Sequence, residues 1–242
     1  MSSRRTTSTP TPTTTLTCRN RMEDSADRAA AAEPQRSLEV ERKYDVDDAT
    51  VVPDWTALPG VAGVGEAEHR RLDARYLDTA EGHLARSGVA VRRRSGGPDA
   101  GWHIKISTPE GKHEWAWPLG AEPAADVSDL PVPEPVVAAL AQWASPPFAA
   151  LARIRNERHA YALRDAEGAL VAEFVDDHVT ARDERRGTEA SWREWELELG
   201  PAAPADAEGR AALFAAADAL VSAAGGRPAA SDSKLGRALT GP

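Results

Sequence analysis

The stretch Leu38-Glu39-Val40-Glu41-Arg42-Lys43-Tyr44 alternates in a way that leaves the chain few options. In an extended strand, successive side chains point to opposite faces. Glu39, Glu41 and Lys43 therefore share one face, and Val40, Arg42 and Tyr44 share the other. Two carboxylates two residues apart repel unless a cation sits among them. At an effective dielectric of 20, unit charges ~4 Å apart interact by ~4 kcal/mol. Lys43 supplies one such cation, and a divalent metal is the other simple solution, because hard cations take carboxylate oxygens. The device recurs near the C-terminus in Glu194-Trp195-Glu196-Leu197-Glu198-Leu199, with three carboxylates on one face and Trp195, Leu197 and Leu199 on the other.

The segments between carry the same period. Strands are predicted at His69 to Leu77, Val89 to Arg94, Trp102 to Ser107, Lys112 to Trp117, Arg153 to Leu163, Leu170 to Asp176, Val179 to Arg185 and Trp192 to Leu199, punctuated by turns such as Gly96-Gly97-Pro98-Asp99 and Pro109-Glu110-Gly111. Helical spacing marks Ala80 to Ser87, Glu134 to Trp143 and Ala207 to Ala224, the last stopped by Gly225-Gly226. Residues 118 to 132 read as loop. The expected class is α+β, and the regular hairpin spacing fits an antiparallel barrel or a sandwich. If the apolar faces pack on outer helices, the charged faces look at one another across a lumen, which makes an antiparallel eight- or nine-stranded β-barrel tunnel with peripheral helices. Such a lumen stays open only when hydrated or filled by ions, since unpaired buried charge is costly.

Composition narrows the function. The chain has 242 residues, is 41% hydrophobic, and carries a net charge of -9, which argues against a general nucleic-acid surface. Residues 1 to 36 are rich in Thr, Ser, Pro and Ala and are expected to be a disordered leader, with one domain over 37 to 242. No apolar run reaches the ~20 residues of a membrane span. The single cysteine, Cys18, permits no disulfide within the chain. A cytoplasmic protein, monomeric or homodimeric, is expected. His69, His83, His113, His159 and His178 show no ligand spacing along the chain, which argues against a zinc site.

Glu39-Val40-Glu41-Arg42-Lys43 resembles the ExExK signature of the CYTH family, the triphosphate tunnel metalloenzymes, and the likeness extends more loosely from about Ser37 to the C-terminus. The resemblance implies metal-dependent chemistry on a triphosphate inside the tunnel. Glu39, Glu41 and Lys43 become the catalytic motif. Arg92 and Arg94, which share a strand face in Val91-Arg92-Arg93-Arg94, resemble the phosphate-gripping pair, a role that suits guanidinium forks. Lys105, Arg158 with the weaker Arg155, and Lys234 match further phosphate-binding positions. Asp177, or alternatively Asp176, joins Glu39, Glu41, Glu194, Glu196 and Glu198 as metal ligands for Mg²⁺ or Mn²⁺.

The implied activity is hydrolysis of a small triphosphate, with inorganic triphosphate ahead of thiamine triphosphate. The alternatives are a class IV-type adenylyl cyclase, or a non-catalytic polyphosphate-binding module. Many family members carry an additional helical phosphate-binding domain, CHAD. With its end at Pro242, the chain is expected to be a stand-alone CYTH protein.

Overall fold

The computed structural model describes residues 33–120 and 130–240. Residues 1–32 of the expected leader and most of the expected 118–132 loop lie outside the described residues. Strand β1 spans Gln35–Glu39, beginning two residues before the predicted domain start. Next come β2 (Glu41–Val46), a 3-10 turn (Trp55–Ala57), β3 (Gly63–Val64), β4 (Glu68–Asp78) and the short helix α1 (His83–Arg86). Strands β5 (Val89–Ser95), β6 (Gly101–Thr108) and β7 (Gly111–Pro118) form a meander, followed by α2 (Glu134–Leu140). Long strands β8 (Ala149–Arg164), β9 (Leu170–Asp183) and β10 (Glu189–Leu199) lead to α3 (Ala207–Ala223), β11 (Arg227–Pro228) and α4 (Lys234–Thr240).

The sheet is antiparallel and runs β1-β7-β6-β5-β4-β8-β9-β10-β2-β11, with β3 added on β8. β1, at one end of this order, and β2, beside the two-residue β11 at the other, are nearly the same piece of chain. β1 pairs with β7, β2 pairs with β10, and only Val40 separates them. Counting β1 and β2 as one bent strand, the ladder closes into a ring of eight. Val40 contributes its carbonyl to Leu199 N at 2.9 Å at this corner. The heptapeptide is therefore two ladder segments with a joint, where one continuous strand was expected. The two strands predicted at Leu170 to Asp176 and Val179 to Arg185 are one, because β9 keeps register with both neighbours from Ala172 to Arg182. The tail around Lys234 is helical, held where Asp45 takes Arg237 at 2.6 Å and Ala230 N at 3.2 Å.

The outer faces are apolar where helices cover them. Tyr44, Phe174, Trp195 and Leu197 pack against Leu213, Phe214, Ala217 and Val221 of α3 and against Trp55. Val91, Trp102, Ile104 and Trp117 pack against Val136 and Leu140 of α2 and Leu84 of α1. Asp206 caps α3 by accepting from Gly209 N at 2.7 Å. The shorter α1 is held by Asp78, which is 1% exposed and accepts from Thr79 N, Leu84 N and Ala85 N at 2.7, 3.0 and 3.1 Å. Gly96, at φ 77°, turns β5 toward β6, and a Cβ there would strike the Arg71 carbonyl oxygen.

Candidate functional site: a charged lumen

The inner faces of the ring enclose a cavity of about 330 Å³. Strand parity decides what enters it. Glu39, Glu41, Lys43, Arg92, Arg94, Lys105, Arg158, Glu196, Glu198 and Lys234 all line it. Asp177 and Glu194 stand in the wall beside them, with carboxylate oxygens of Asp177, Glu194 and Glu196 all within 4.8 Å of one another. Arg155 does not belong. It lies three residues from Arg158 on β8, so it faces outward; its side chain is 59% exposed and its carboxylate neighbour is Asp73, at 3.9 Å. Asp176 also faces out, where both its oxygens receive Arg193 at 2.8 Å, so Asp177 is the lumen carboxylate.

The charges fall into two linked clusters. In the first, the Lys234 ammonium lies 2.8 Å from Asp177, 2.6 Å from Glu194 and 2.7 Å from Glu196. Arg158 grips Asp177 with Nε at 2.8 Å and a terminal nitrogen at 2.7 Å, and reaches Glu196 at 2.9 Å. Lys43 bridges Glu196 and Glu41, the latter at 3.0 Å. Burial pushes the Glu196 carboxyl up, but the Lys234, Lys43 and Arg158 charges together hold it well below the usual carboxylate range. Burial likewise opposes the charge on Lys234, and Asp177, Glu196 and Glu194 raise it well above an ordinary lysine.

In the second cluster, Lys105 bonds both oxygens of Glu39 at 2.8 and 2.6 Å and lies 3.3 Å from Glu114. Glu114 accepts from or faces His103 Nδ1 at 2.9 Å and sits 3.5 Å from Arg92, which donates to the Tyr76 hydroxyl at 3.2 Å. His103 is 1% exposed; burial with the Arg92 charge lowers it to about 4, against the pull of Glu114, and its Nε2 lies 3.0 Å from the Asp99 carbonyl oxygen. It is a hydrogen-bond partner of Glu114. Lys112 reaches Glu41 at 2.6 Å and the Asp232 carbonyl at 2.6 Å. Sequence reasoning passed over Lys112, Glu114 and Tyr76, although Lys112 and Glu114 alternate in β7 just as Arg92 and Arg94 do in β5.

Two places stand out of balance. Among the described residues no ion pair reaches Glu198; burial and the Glu39 and Glu41 charges push it up to about 7. On the opposite side, burial and the neighbouring Arg92 and Arg158 charges lower Arg94 to about 9, although Asp99 contacts it. The buried Nε–H groups of Arg92 and Arg94 find no acceptor among the described residues. Buried donors almost always have partners.

The three converging carboxylates fit a divalent cation. Their donors are hard oxygens, and they already hold an ammonium at 2.6–2.8 Å where their oxygens meet. A closed antiparallel barrel with carboxylates and guanidinium groups segregated along its lumen defines a tunnel protein for anionic, metal-chelated ligands.

The CYTH domain profile matches residues 37–218, and the chain belongs to the CYTH family. That family is metal-dependent, binds triphosphate substrates, and includes triphosphatases and adenylyl cyclases. Two Mycobacterium tuberculosis proteins, from different strains and both described as uncharacterized, are 37% identical over 220 residues, covering 86% of this chain and 41% of theirs. The chain thus spans about two fifths of the length of the curated relatives it matches. Among solved structures, a candidate adenylate cyclase from Bacillus halodurans superposes with TM-score 0.55 at 17% identity, covering 84% of this chain and 97% of that one. A candidate adenylyl cyclase from Hippeastrum, described as revealing a dominant triphosphatase activity, superposes with TM-score 0.52 at 19% identity, covering 84% and 96%. At these identities the likeness speaks for the fold. Among the described residues no helix is long and apolar enough to cross a membrane.

Proposed function

We propose that this chain is a metal-dependent triphosphatase whose preferred substrate is inorganic triphosphate, with thiamine triphosphate second. The observation that carries the reading is the pair Arg92 and Arg94, on one face of β5, whose buried Nε–H donors have no acceptor among the described residues and which line a lumen shared with the carboxylates. A polyphosphate chain satisfies those donors, and its own charge offsets the cations that now repel one another.

In this reading Arg92, Arg94, Lys105 and Arg158 hold the phosphoryl oxygens, and Lys234 closes on them from α4. Asp177, Glu194 and Glu196, with Glu198 further along β10, Glu41 opposite it on β2 and Glu39 on β1, would hold Mg²⁺ or Mn²⁺. When bound, the ion neutralises charge on the phosphoryl oxygens and lowers the pKa of bound water. Lys43 fixes Glu41 and Glu196 relative to one another. A water on the carboxylate side adds to the terminal phosphorus as its proton passes to a lumen carboxylate, the bridging P–O bond breaks, and the guanidinium groups stabilise the departing pyrophosphate.

The test is phosphate release from inorganic triphosphate with Mg²⁺, Mn²⁺ or EDTA, beside thiamine triphosphate and ATP. Metal-stimulated release that disappears in Glu41→Gln is expected, and full activity in that variant would sink the proposal. A second reading, an adenylyl cyclase, is favoured by the apolar strip of Leu72, Ala74, Ile154, Leu235 and Leu239 on the cavity wall, which offers a surface to a purine. Cyclic AMP formed from Mn·ATP would establish it. Tight triphosphate binding with no turnover of any kind would leave a polyphosphate-binding module.

A further inference from the structure

The outer face of the same wall gathers three imidazoles from three neighbouring strands. His69 on β4 lies directly opposite His159 on β8, and Glu157 on β8 lies directly opposite His178 on β9. The His69 and His159 rings are 5.0 Å apart between centroids, and the His159 and His178 rings 6.3 Å, edge to face. His69 Nε2 is 2.8 Å from Glu157 Oε2. The other charged groups nearby are Arg71, whose Nε is 3.4 Å from the second oxygen of Glu157, and Asp176, 3.9 Å from His178 Nε2 but engaged by Arg193.

We propose that His69, His159 and His178, with Glu157, form a second cation site on the outer wall, for a borderline transition ion such as Zn²⁺. Metal–imidazole bonds of about 2.0–2.1 Å in a tetrahedral site place the ligating nitrogens ~3.4 Å apart. Rings with centroids at 5.0 and 6.3 Å reach that spacing by turning about χ1 and χ2. The turn costs little packing, because the His69 and His178 side chains are 45% and 49% exposed and Glu157 is 51% exposed. Such a site stands apart from the lumen both in place and in chemistry. Arg158, between Glu157 and His159, and Asp177, between Asp176 and His178, point the other way, so the two sites are back to back across one sheet. Imidazoles select Zn²⁺, Ni²⁺ or Cu²⁺, whereas a cage of carboxylates suits Mg²⁺ or Mn²⁺. No spacing along the chain reveals the set, because each histidine comes from a different strand.

The experiment titrates Zn²⁺ into the full chain by calorimetry in saturating Mg²⁺, and follows the imidazole signals by NMR. The expected result is one Zn²⁺ per chain, with ring signals of three of the six histidines shifted. Binding is expected to be at least tenfold weaker in His159→Ala and in His69→Ala, and unchanged in the surface control His113→Ala and in Glu196→Gln. Wild-type affinity in both His159→Ala and His69→Ala would overturn the proposal. So would Zn²⁺ binding that disappears in Glu196→Gln or that Mg²⁺ displaces, since the ion would then occupy the lumen. Neither result depends on whether the lumen is catalytic.

Discussion

Replacing Lys234 by Met removes one charge from the middle of three. In the wild type its ammonium is within 2.8 Å of Asp177, Glu194 and Glu196, all buried. Breaking a buried ion pair by deleting one partner costs about 3–5 kcal/mol, because the other charge stays behind uncompensated. Arg158 still holds Asp177 and Glu196, and Lys43 still holds Glu196, so the loss belongs at the low end. Glu194 is the group left exposed to the change, with Arg237 at 4.0 Å as its remaining cation. About 3 kcal/mol in a chain of this size lowers Tm by roughly 6–12 °C. A divalent ion in the vacated triad would replace the missing charge. Calorimetric melting of wild type and Lys234→Met in EDTA and in millimolar Mn²⁺ tests both halves. The variant should melt well below wild type in EDTA, recover most of the difference in Mn²⁺, and bind Mn²⁺ more tightly by electron paramagnetic resonance. Equal melting of the two proteins in EDTA would refute the account of Lys234 as the resident counter-ion of the triad.

Arg158→Ala should cost phosphate release at least a hundredfold in kcat/KM, about 2.7 kcal/mol at 1.36 kcal/mol per tenfold, while Arg155→Ala stays within about twofold. Equal losses would contradict the parity of β8. Glu198 has a folded pKa raised from 4.5 to about 7, so the metal-free fold favours its protonated form; stability contributed by that proton is present below about 4.5 and lost as pH rises toward 7. Glu198→Gln should therefore melt higher than wild type at pH 8 and nearly equal to it at pH 4, in EDTA, and an unchanged difference across that range would refute the assignment. Asp78→Ala leaves three backbone N–H groups near α1 without an acceptor and should destabilise by about 1–3 kcal/mol in urea unfolding, with no change in metal affinity.

Period-two alternation carried most of what could be read in advance. It places charge inward and bulk outward on β2, β5, β6 and β10, and it needs no knowledge of partners. It failed where parity had no local anchor. Arg153, Arg155 and Arg158 lie on one strand and put a basic residue on each of its faces; only the ladders to β4 and β9 show that Arg158 opposes Asp177 and that Arg155 faces water. It also missed residues whose roles arise from pairing across the sheet. Glu114 reads as a lone acid in β7 until β6 sets it opposite Lys105. The joint at Val40 was invisible for the same reason, since a corner between two ladders does not change the local alternation. The shortening of α1 follows from Gly82, in the left-handed region at φ 75°, and the first turn is then held by Thr79, which accepts from His83 N, and by Asp78, which accepts from Leu84 N and Ala85 N.

The joint at Val40 also has a consequence for how the chain comes to be folded. Strands β4 to β10 pair with close neighbours in the sequence, apart from the β4–β8 contact, and can zip as hairpins. The bent strand made of β1 and β2 cannot. Its front half waits for β7 and its back half for β10, near the far end of the chain. Loop closure over such distances makes pairing of this kind slow relative to hairpins. During synthesis β1 and β2 emerge first and are satisfied last, and until then the open edges of β7 and β10 are available to other chains. The segment bearing Glu39, Glu41 and Lys43 is thus also the clasp of the barrel. The lumen acquires its full set of carboxylates only when β7 and β10 both receive this segment.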